Sequence, residues 1–172
     1  MSTGGDLAVL LRLRDFRRLY ATRLTSQVAD GAFQVGLASV FFFSPERQTS
    51  AGRIAAAFAV LLLPYSLVGP FAGVLLDRWR RRQILVWSNA LRAVMVLGVA
   101  ALVAAEVVGP TLYAAILACV SVNRFFLAGL SAALPHVVDR PALVLANSVS
   151  TTSGTLAALA GAGAAFLVRP LL

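Results

Sequence analysis

Three ionisable side chains lie within apolar stretches of this chain, where an uncompensated charge is expensive. Asp30 follows Ser26 and Gln27 in the first such stretch, and Arg92 and Arg124 lie in later ones. A carboxylate or a guanidinium in such a place can bind an opposite charge or a polar ligand, and a carboxylate can also carry a proton. For Asp30, a role facing a cavity and a purely structural ion pair are both open.

A cluster of charged residues, unlike the isolated charges above, interrupts the apolar sequence between residues 73 and 82. Gly73 is followed four residues later by Asp77, and the basic residues Arg78, Arg80, Arg81 and Arg82 come directly after it. The apolar runs on either side are each long enough to cross a bilayer, which takes about 20 residues. This segment is therefore predicted to be a short loop between two spans. Its four arginines place it on the cytoplasmic side.

The elements that hold these residues are predicted to be five transmembrane helices, at about 21–43, 54–76, 84–105, 111–134 and 143–168. Residues 1–20 are basic and amphipathic, which favours a cytoplasmic segment at the membrane surface. The composition agrees, since 59% hydrophobic and 13% charged residues exceed what one soluble core could bury. The predicted fold class is an all-α, multi-pass membrane protein with its N-terminus in the cytoplasm.

The two arginines lie at different depths in these predicted spans. Arg92 is about 13 Å along the helix axis from Gln83, so it either extends to the inner headgroups or pairs with Asp30. Arg124 is about 17 Å from Pro135, which is too deep for such an extension. By depth, Asp30 is the best acid for Arg124 within these helices. The sequence thus leads to the hypothesis that Asp30 and Arg124 form a buried pair.

Small residues mark two of the spans as sites of close helix packing. Gly69 and Gly73 lie four residues apart in the second span, where they fit either ordinary packing or a moving gate. In the fifth span the predicted packing residues are Gly154, Ala158 and Gly161, and the first two belong to a stripe that also holds Ser150 and Ala162. Small residues on one stripe let two helix backbones approach closely.

The sequence does not support a metal site, an enzyme active site or a nucleotide-binding loop. His136 and Cys119 are the only residues of their types, so no metal site and no histidine-based catalytic group is predicted. No phosphate-binding glycine loop with lysine is present, and we expect neither enzymatic activity nor a cofactor. The basic residues are divided between spans rather than gathered in a soluble domain, which argues against a nucleic-acid partner.

The loop Gly73-x-x-x-Asp77-Arg78-x-x-Arg81-Arg82 resembles the cytoplasmic loop signature between the second and third spans of the major facilitator superfamily. It departs where that signature often has a second glycine and this chain has Arg80. The preceding Gly69-Pro70-x-x-Gly73 is similar to a run found in drug and siderophore exporters of the superfamily. The resemblance implies a charge relay in which Asp77 caps a helix of the other half of the transporter, with Arg78 and Arg81 beside it.

That resemblance also implies a function. The chain is similar to the N-terminal portion of a secondary active transporter, which when complete exports small amphipathic molecules across the plasma (inner) membrane by ion-coupled alternating access. Its expected partners are the lipid bilayer, an unknown small-molecule substrate, and a missing C-terminal half or a partner polypeptide. Protonation or separation of the Asp30 and Arg124 pair would accompany transport. The alternative is a non-transporting membrane fragment or an assembly subunit that packs against a partner protein.

Overall fold

The structure is a computed structural model that describes residues 3–42, 52, 80–107 and 109–168. Within these residues the chain forms five α-helices: α1 (Thr3–Arg12), α2 (Arg14–Phe42), α3 (Arg81–Ala104), α4 (Pro110–Ala133) and α5 (Leu143–Val168). Two short 3-10 helices, Leu134–His136 and Arg140–Ala142, lie between α4 and α5. This described part of the chain contains no β-strand, and the predicted all-α fold is confirmed there.

Three described segments are long and apolar enough to cross a membrane: Arg82–Ala104, Pro110–His136 and Arg140–Val168. They overlap the third, fourth and fifth predicted spans. The second predicted span, at 54–76, lies outside the described residues. Large apolar side chains on α3 remain exposed, including Trp87 at 67% and Leu97 at 70%. Such a surface suits contact with lipid acyl chains, where a long apolar helix needs no further cover.

Helix α2 differs from α3, α4 and α5 because it is both longer and more polar. Its 29 residues would extend about 44 Å along the axis. It begins at Arg14, two turns before the predicted start of the first span, because no proline interrupts the sequence between Arg14 and Phe42. Gln27, Asp30 and Gln34 lower its hydropathy. A helix of this kind is stable in a membrane only if its polar side is covered by protein or faces a polar cavity.

The turn after α3 shows how that helix is ended. Glu106 has a left-handed backbone with φ of 55°, and its amide donates to the carbonyl of Val103 at 3.1 Å. The amide of Val107 donates to the carbonyl of Leu102 at 3.0 Å. This pair of hydrogen bonds is a Schellman motif, which satisfies the last carbonyls of a helix. Gly109, with φ of 105°, then lets the chain reverse into α4.

The chain divides into two compact units, Met1–Ala38 with Leu130–Leu172 and Ser39–Gly129. The N-terminal end of the first unit is held by an apolar cluster, which we call the plug and which consists of Leu10, Phe16, Leu134, Val138 and Ala146. Phe16 is fully buried, and its ring stacks on Tyr20 with centroids 5.7 Å apart. Leu10 of α1 therefore faces protein, whereas Val9 and Leu11 stay exposed and free to face lipid.

Candidate functional site

Helices α2 and α5 approach each other through two glycines. A Cβ built on Gly31 would lie 2.7 Å from the carbonyl carbon of Ala158 and 2.9 Å from the amide nitrogen of Ala162. A Cβ built on Gly161 would lie 2.7 Å from the carbonyl carbon and 2.8 Å from the Cα of Val28. Real Cβ atoms essentially never come so close to a neighbouring backbone. The two helix backbones are therefore in direct contact, and only glycine fits at either position.

The order of the contacts gives the direction of the two helices. Gln27 lies beside Gly154, and four residues further along α2 Gly31 lies beside Ala158. Residue numbers thus increase in the same direction along both helices, so α2 and α5 are parallel. In a membrane, parallel helices cross in the same direction and are separated by an odd number of crossings. The predicted order, with three spans between the first and the fifth, has this property.

The residues of α5 that were predicted to pack lie along this contact, which we call the α2–α5 seam. Ala146, Ser150, Gly154 and Gly161 are buried, and Ala158 and Ala162 meet Gly31 through their backbones. Gly31 could not be assigned to the seam from sequence alone. It lacks a second small residue four positions away that faces the same helix, since Gln27 and Val35 occupy those places.

Asp30 lies next to this seam in the sequence and is buried. Its side chain is 6% exposed, and that of Ser26, one turn earlier, is 4% exposed. Successive residues on a helix are 100° apart, so Asp30 lies beside rather than on the face that carries Gly31. The glycine contact fixes the rotation of α2 about its own axis. That rotation decides which direction the Asp30 carboxyl faces.

Arg92 belongs to the second unit, where its side chain packs against α4. The guanidinium is 7% exposed, and its Nη1 donates a hydrogen bond to Oδ1 of Asn123 at 2.8 Å. Its Cζ lies 5.3 Å from the ring centroid of Phe126, within the range of a cation–π contact. An amide and a ring on α4 thus hold the guanidinium of Arg92, whereas the two predicted alternatives, extension to the inner headgroups and a pair with Asp30, stay predictions.

The other intramembrane arginine, Arg124, follows Asn123 on α4 and is half-buried. It belongs to the second unit together with Arg92, whereas Asp30 belongs to the first. The pairing of Asp30 with Arg124 stays a prediction from sequence. Asn123 and Phe126 as partners of Arg92 are additions that the structure makes. Their positions three residues apart on one side of α4 are the signal that sequence reasoning overlooked.

We expect Asn123→Leu to destabilise the chain by about 2 kcal/mol, because a buried guanidinium would lose a charge-assisted acceptor. Arg92→Leu combined with Asn123→Leu should cost less than the sum of the two single changes, since removal of both partners leaves neither unsatisfied. Thermal unfolding in detergent measures both effects. Asn89→Leu, at an exposed position on α3, is the matched control and should change the midpoint little. Additive single and double variants would disprove the coupling.

The predicted cytoplasmic loop is only partly described. Gly69, Gly73, Asp77 and Arg78 lie outside the described residues. Arg81 and Arg82 form the first turn of α3, and Arg80, at its N-cap, makes no side-chain capping hydrogen bond. Cations at a helix N-terminus oppose the helix dipole, so this cluster does not stabilise α3. Its position fits a role in orientation or in contact with another part of a transporter.

Within the described residues, no group of three or more histidine, cysteine, aspartate or glutamate side chains could hold a metal ion.

Comparison with known proteins finds similarity to membrane transporters. No family model and no solved structure matches it. The chain is 48% identical over 160 residues to an uncharacterized MFS-type transporter of Mycobacterium tuberculosis, and equally so to one of Mycobacterium bovis. The match covers 93% of this chain but 36% of each relative. The chain thus spans about a third of the length of these relatives, and its similarity to them supports membership of the major facilitator superfamily.

Proposed function

We propose that this chain is the N-terminal portion of a secondary active transporter that exports small amphipathic molecules across the plasma membrane. The observation that carries the proposal is the buried carboxyl of Asp30, 6% exposed in the most polar of the long helices. An acid at that depth is costly unless it is paired or faces a polar cavity, and intramembrane acids typically belong to substrate or proton pathways. The similarity to MFS-type transporters supports the same reading.

In this proposal the α2–α5 seam is a rigid element. Glycine contacts of this closeness leave no room for the two backbones to slide without a clash, so α2 and α5 would move as one body during alternating access. Asp30 is carried on that body. Its protonation would change the charge on one side of the substrate path, which is the step that couples ion movement to export. The loop with Asp77, Arg78 and Arg81 would act as the cytoplasmic gate.

The test is an efflux assay in a bacterial host that lacks its main drug exporters. The reading frame that extends this chain to the length of its relatives should lower the accumulation of an amphipathic fluorescent dye, and a proton ionophore should abolish the effect. The 172-residue chain alone is the comparison and should leave accumulation unchanged. No efflux from the long form with any amphipathic dye would overturn the proposed export, and efflux from the short form would favour a subunit that works with a host partner.

The proposed orientation has its own prediction. The N-terminus and the loop after α4 should lie in the cytoplasm, and the turn after α3 outside. Cys119 is 1% exposed, so engineered cysteines can be labelled against a low background. An impermeant maleimide added to intact cells should label Glu106→Cys, whereas Asp139→Cys should react only after the cells are opened. Both positions are exposed, and the reverse pattern would invert the topology.

A further inference from the structure

Arg23 stands apart from the other arginines of the first unit. Its stem crosses Gly154 of α5, so that a Cβ on Gly154 would lie 3.1 Å from Nε and 3.7 Å from Cδ of Arg23. Its Nε is buried, and no hydrogen-bond acceptor in the described part of the chain contacts it. By contrast, Arg14, Arg17 and Arg18 earlier on α2 are exposed to solvent or headgroups. Gly154 thus leaves a notch on α5 that the Nε and Cδ of Arg23 occupy.

A buried guanidinium donor without an acceptor is costly, and it calls for an anion or a strong neutral acceptor from outside the chain. The planar guanidinium matches phosphate and carboxylate oxygens through two parallel hydrogen bonds. Ser150, one turn before Gly154 on the same stripe, is 5% exposed and carries a hydroxyl group. The chemistry of the notch therefore selects an oxyanion.

The surroundings of the notch limit the direction from which an oxyanion can arrive. The plug closes the N-terminal end of the α2–α5 seam, with Phe16 two turns below Arg23 on the same side of α2. A soluble anion from the cytoplasm would have to pass that cluster. Next to the notch in sequence, Thr22 on α2 is exposed and Thr151 on α5 is half-buried. Arg23 is about 3 residues inside the predicted span, some 5 Å from its inner boundary.

We propose that Arg23 and Gly154 form a binding site for the phosphate of an anionic phospholipid in the inner leaflet. Basic pockets between transmembrane helices on the cytoplasmic side bind such headgroups in general. The depth of Arg23 and the closed plug favour a lipid over a soluble anion. The site rests on the proposed orientation, with the start of α2 in the cytoplasm, but it does not depend on transport. Lipid bound there would stabilise the contact between α2 and α5 near Arg23.

The test measures lipid retention by native mass spectrometry on the chain released from nanodiscs that contain equal amounts of phosphatidylglycerol and phosphatidylcholine. The wild-type chain should retain phosphatidylglycerol selectively. Arg23→Gln should weaken that retention on the order of tenfold, as expected for the loss of a charge-assisted pair. Gly154→Val should have a similar effect with every charge intact, because the added side chain fills the notch and displaces the guanidinium.

Two controls separate a built site from general attraction. Arg17→Gln removes the same charge from an exposed position on α2, and Gly163→Val adds the same side chain at a position of α5 with nothing within 4 Å. Both should retain lipid as the wild type does. Equal losses in Arg23→Gln and Arg17→Gln would reduce the effect to diffuse electrostatics and overturn the site.

Two further outcomes would also overturn the lipid site. One is unchanged lipid retention in a folded Gly154→Val chain. The other is displacement of bound phosphatidylglycerol by millimolar glycerol 3-phosphate, which would indicate that the site binds a soluble anion instead. Because the readout needs no efflux, failure of the export proposal would leave this result standing, and the labelling pattern at Glu106 and Asp139 checks the orientation independently.

Discussion

Gly31→Ala is expected to separate α2 from α5 and to unfold the first unit, although it adds a single methyl group. The new Cβ would lie inside the contact distance of the Ala158 carbonyl and 2.9 Å from the Ala162 amide nitrogen. Both neighbours are helix backbone, which cannot rotate away as a side chain can. Overpacking against flexible groups costs about 1 to 3 kcal/mol, and we expect at least about 4 kcal/mol here. Gly161→Ala, against the backbone of Val28, should have the same effect from the other side.

Each change has a matched control on the same helix. Gly36 on α2 and Gly163 on α5 have nothing within 4 Å of an added Cβ. Alanine at these positions should be neutral or stabilising by up to about 1 kcal/mol, because glycine is the poorer helix former. The measurement is the thermal midpoint in detergent, followed by size-exclusion chromatography after heating. Equal midpoints for Gly31→Ala and Gly36→Ala would refute the close approach of the two helices.

Asp30→Asn is expected to abolish ion-coupled export by the complete transporter while leaving the fold intact. Asparagine has nearly the same shape as aspartate, but its side-chain amide does not ionise and cannot carry a coupling proton. If Asp30 carries the coupling proton, efflux should fall on the order of 100-fold, the lower end of what a positioned proton-transfer group contributes. The assay is dye efflux at several external pH values, with the amount of protein in the membrane measured in parallel. Asp30→Glu, which keeps the titratable group one methylene further out, should retain part of the activity.

The control for this prediction is Asp15→Asn on the same helix. Asp15 is 75% exposed and lies 4.0 Å from Arg18, a surface pair that contributes little. Its loss should leave both efflux and protein level unchanged. Normal, pH-dependent efflux by Asp30→Asn would show that another group carries the proton. Charge reversal, with Asp30→Arg and Arg124→Asp combined, then tests the predicted pair: recovery of a function that each single change loses would support it.

Within the described residues, several helix ends lie close to the predicted ends of the spans. Helix α5 has the same bounds as the predicted fifth span at 143–168, and α4 differs from the predicted fourth span by one residue at each end. Helix α2 begins about two turns before the predicted first span, because apolarity marks where a helix enters lipid rather than where it begins. Arginines at 14, 17 and 18 do not interrupt a helix; they extend it beyond the bilayer.

The functional residues were harder to place. Asp30, Arg92 and Arg124 were recognisable because charge in an apolar run is costly wherever it points. The partners of Arg92 were overlooked, because Asn123 is 31 residues away and only its spacing from Phe126 on α4 pointed to a shared face. Arg23 attracted no attention as a site because it lies at the edge of a span, where arginines are common.

What the sequence alone determined is therefore which described segments are long and apolar enough to cross a membrane, namely Arg82–Ala104, Pro110–His136 and Arg140–Val168. Transfer of some 20 apolar residues into lipid is a local and additive free energy, so no tertiary contact is needed to recognise them. The tertiary structure decided which helix faces meet: Gly31 against Ala158, Gly161 against Val28, and Arg92 against Asn123. The physical reason is that lipid is as apolar as a helix surface, so no hydrophobic gain selects the partner. Shape and polar contacts between residues far apart in the chain select it instead.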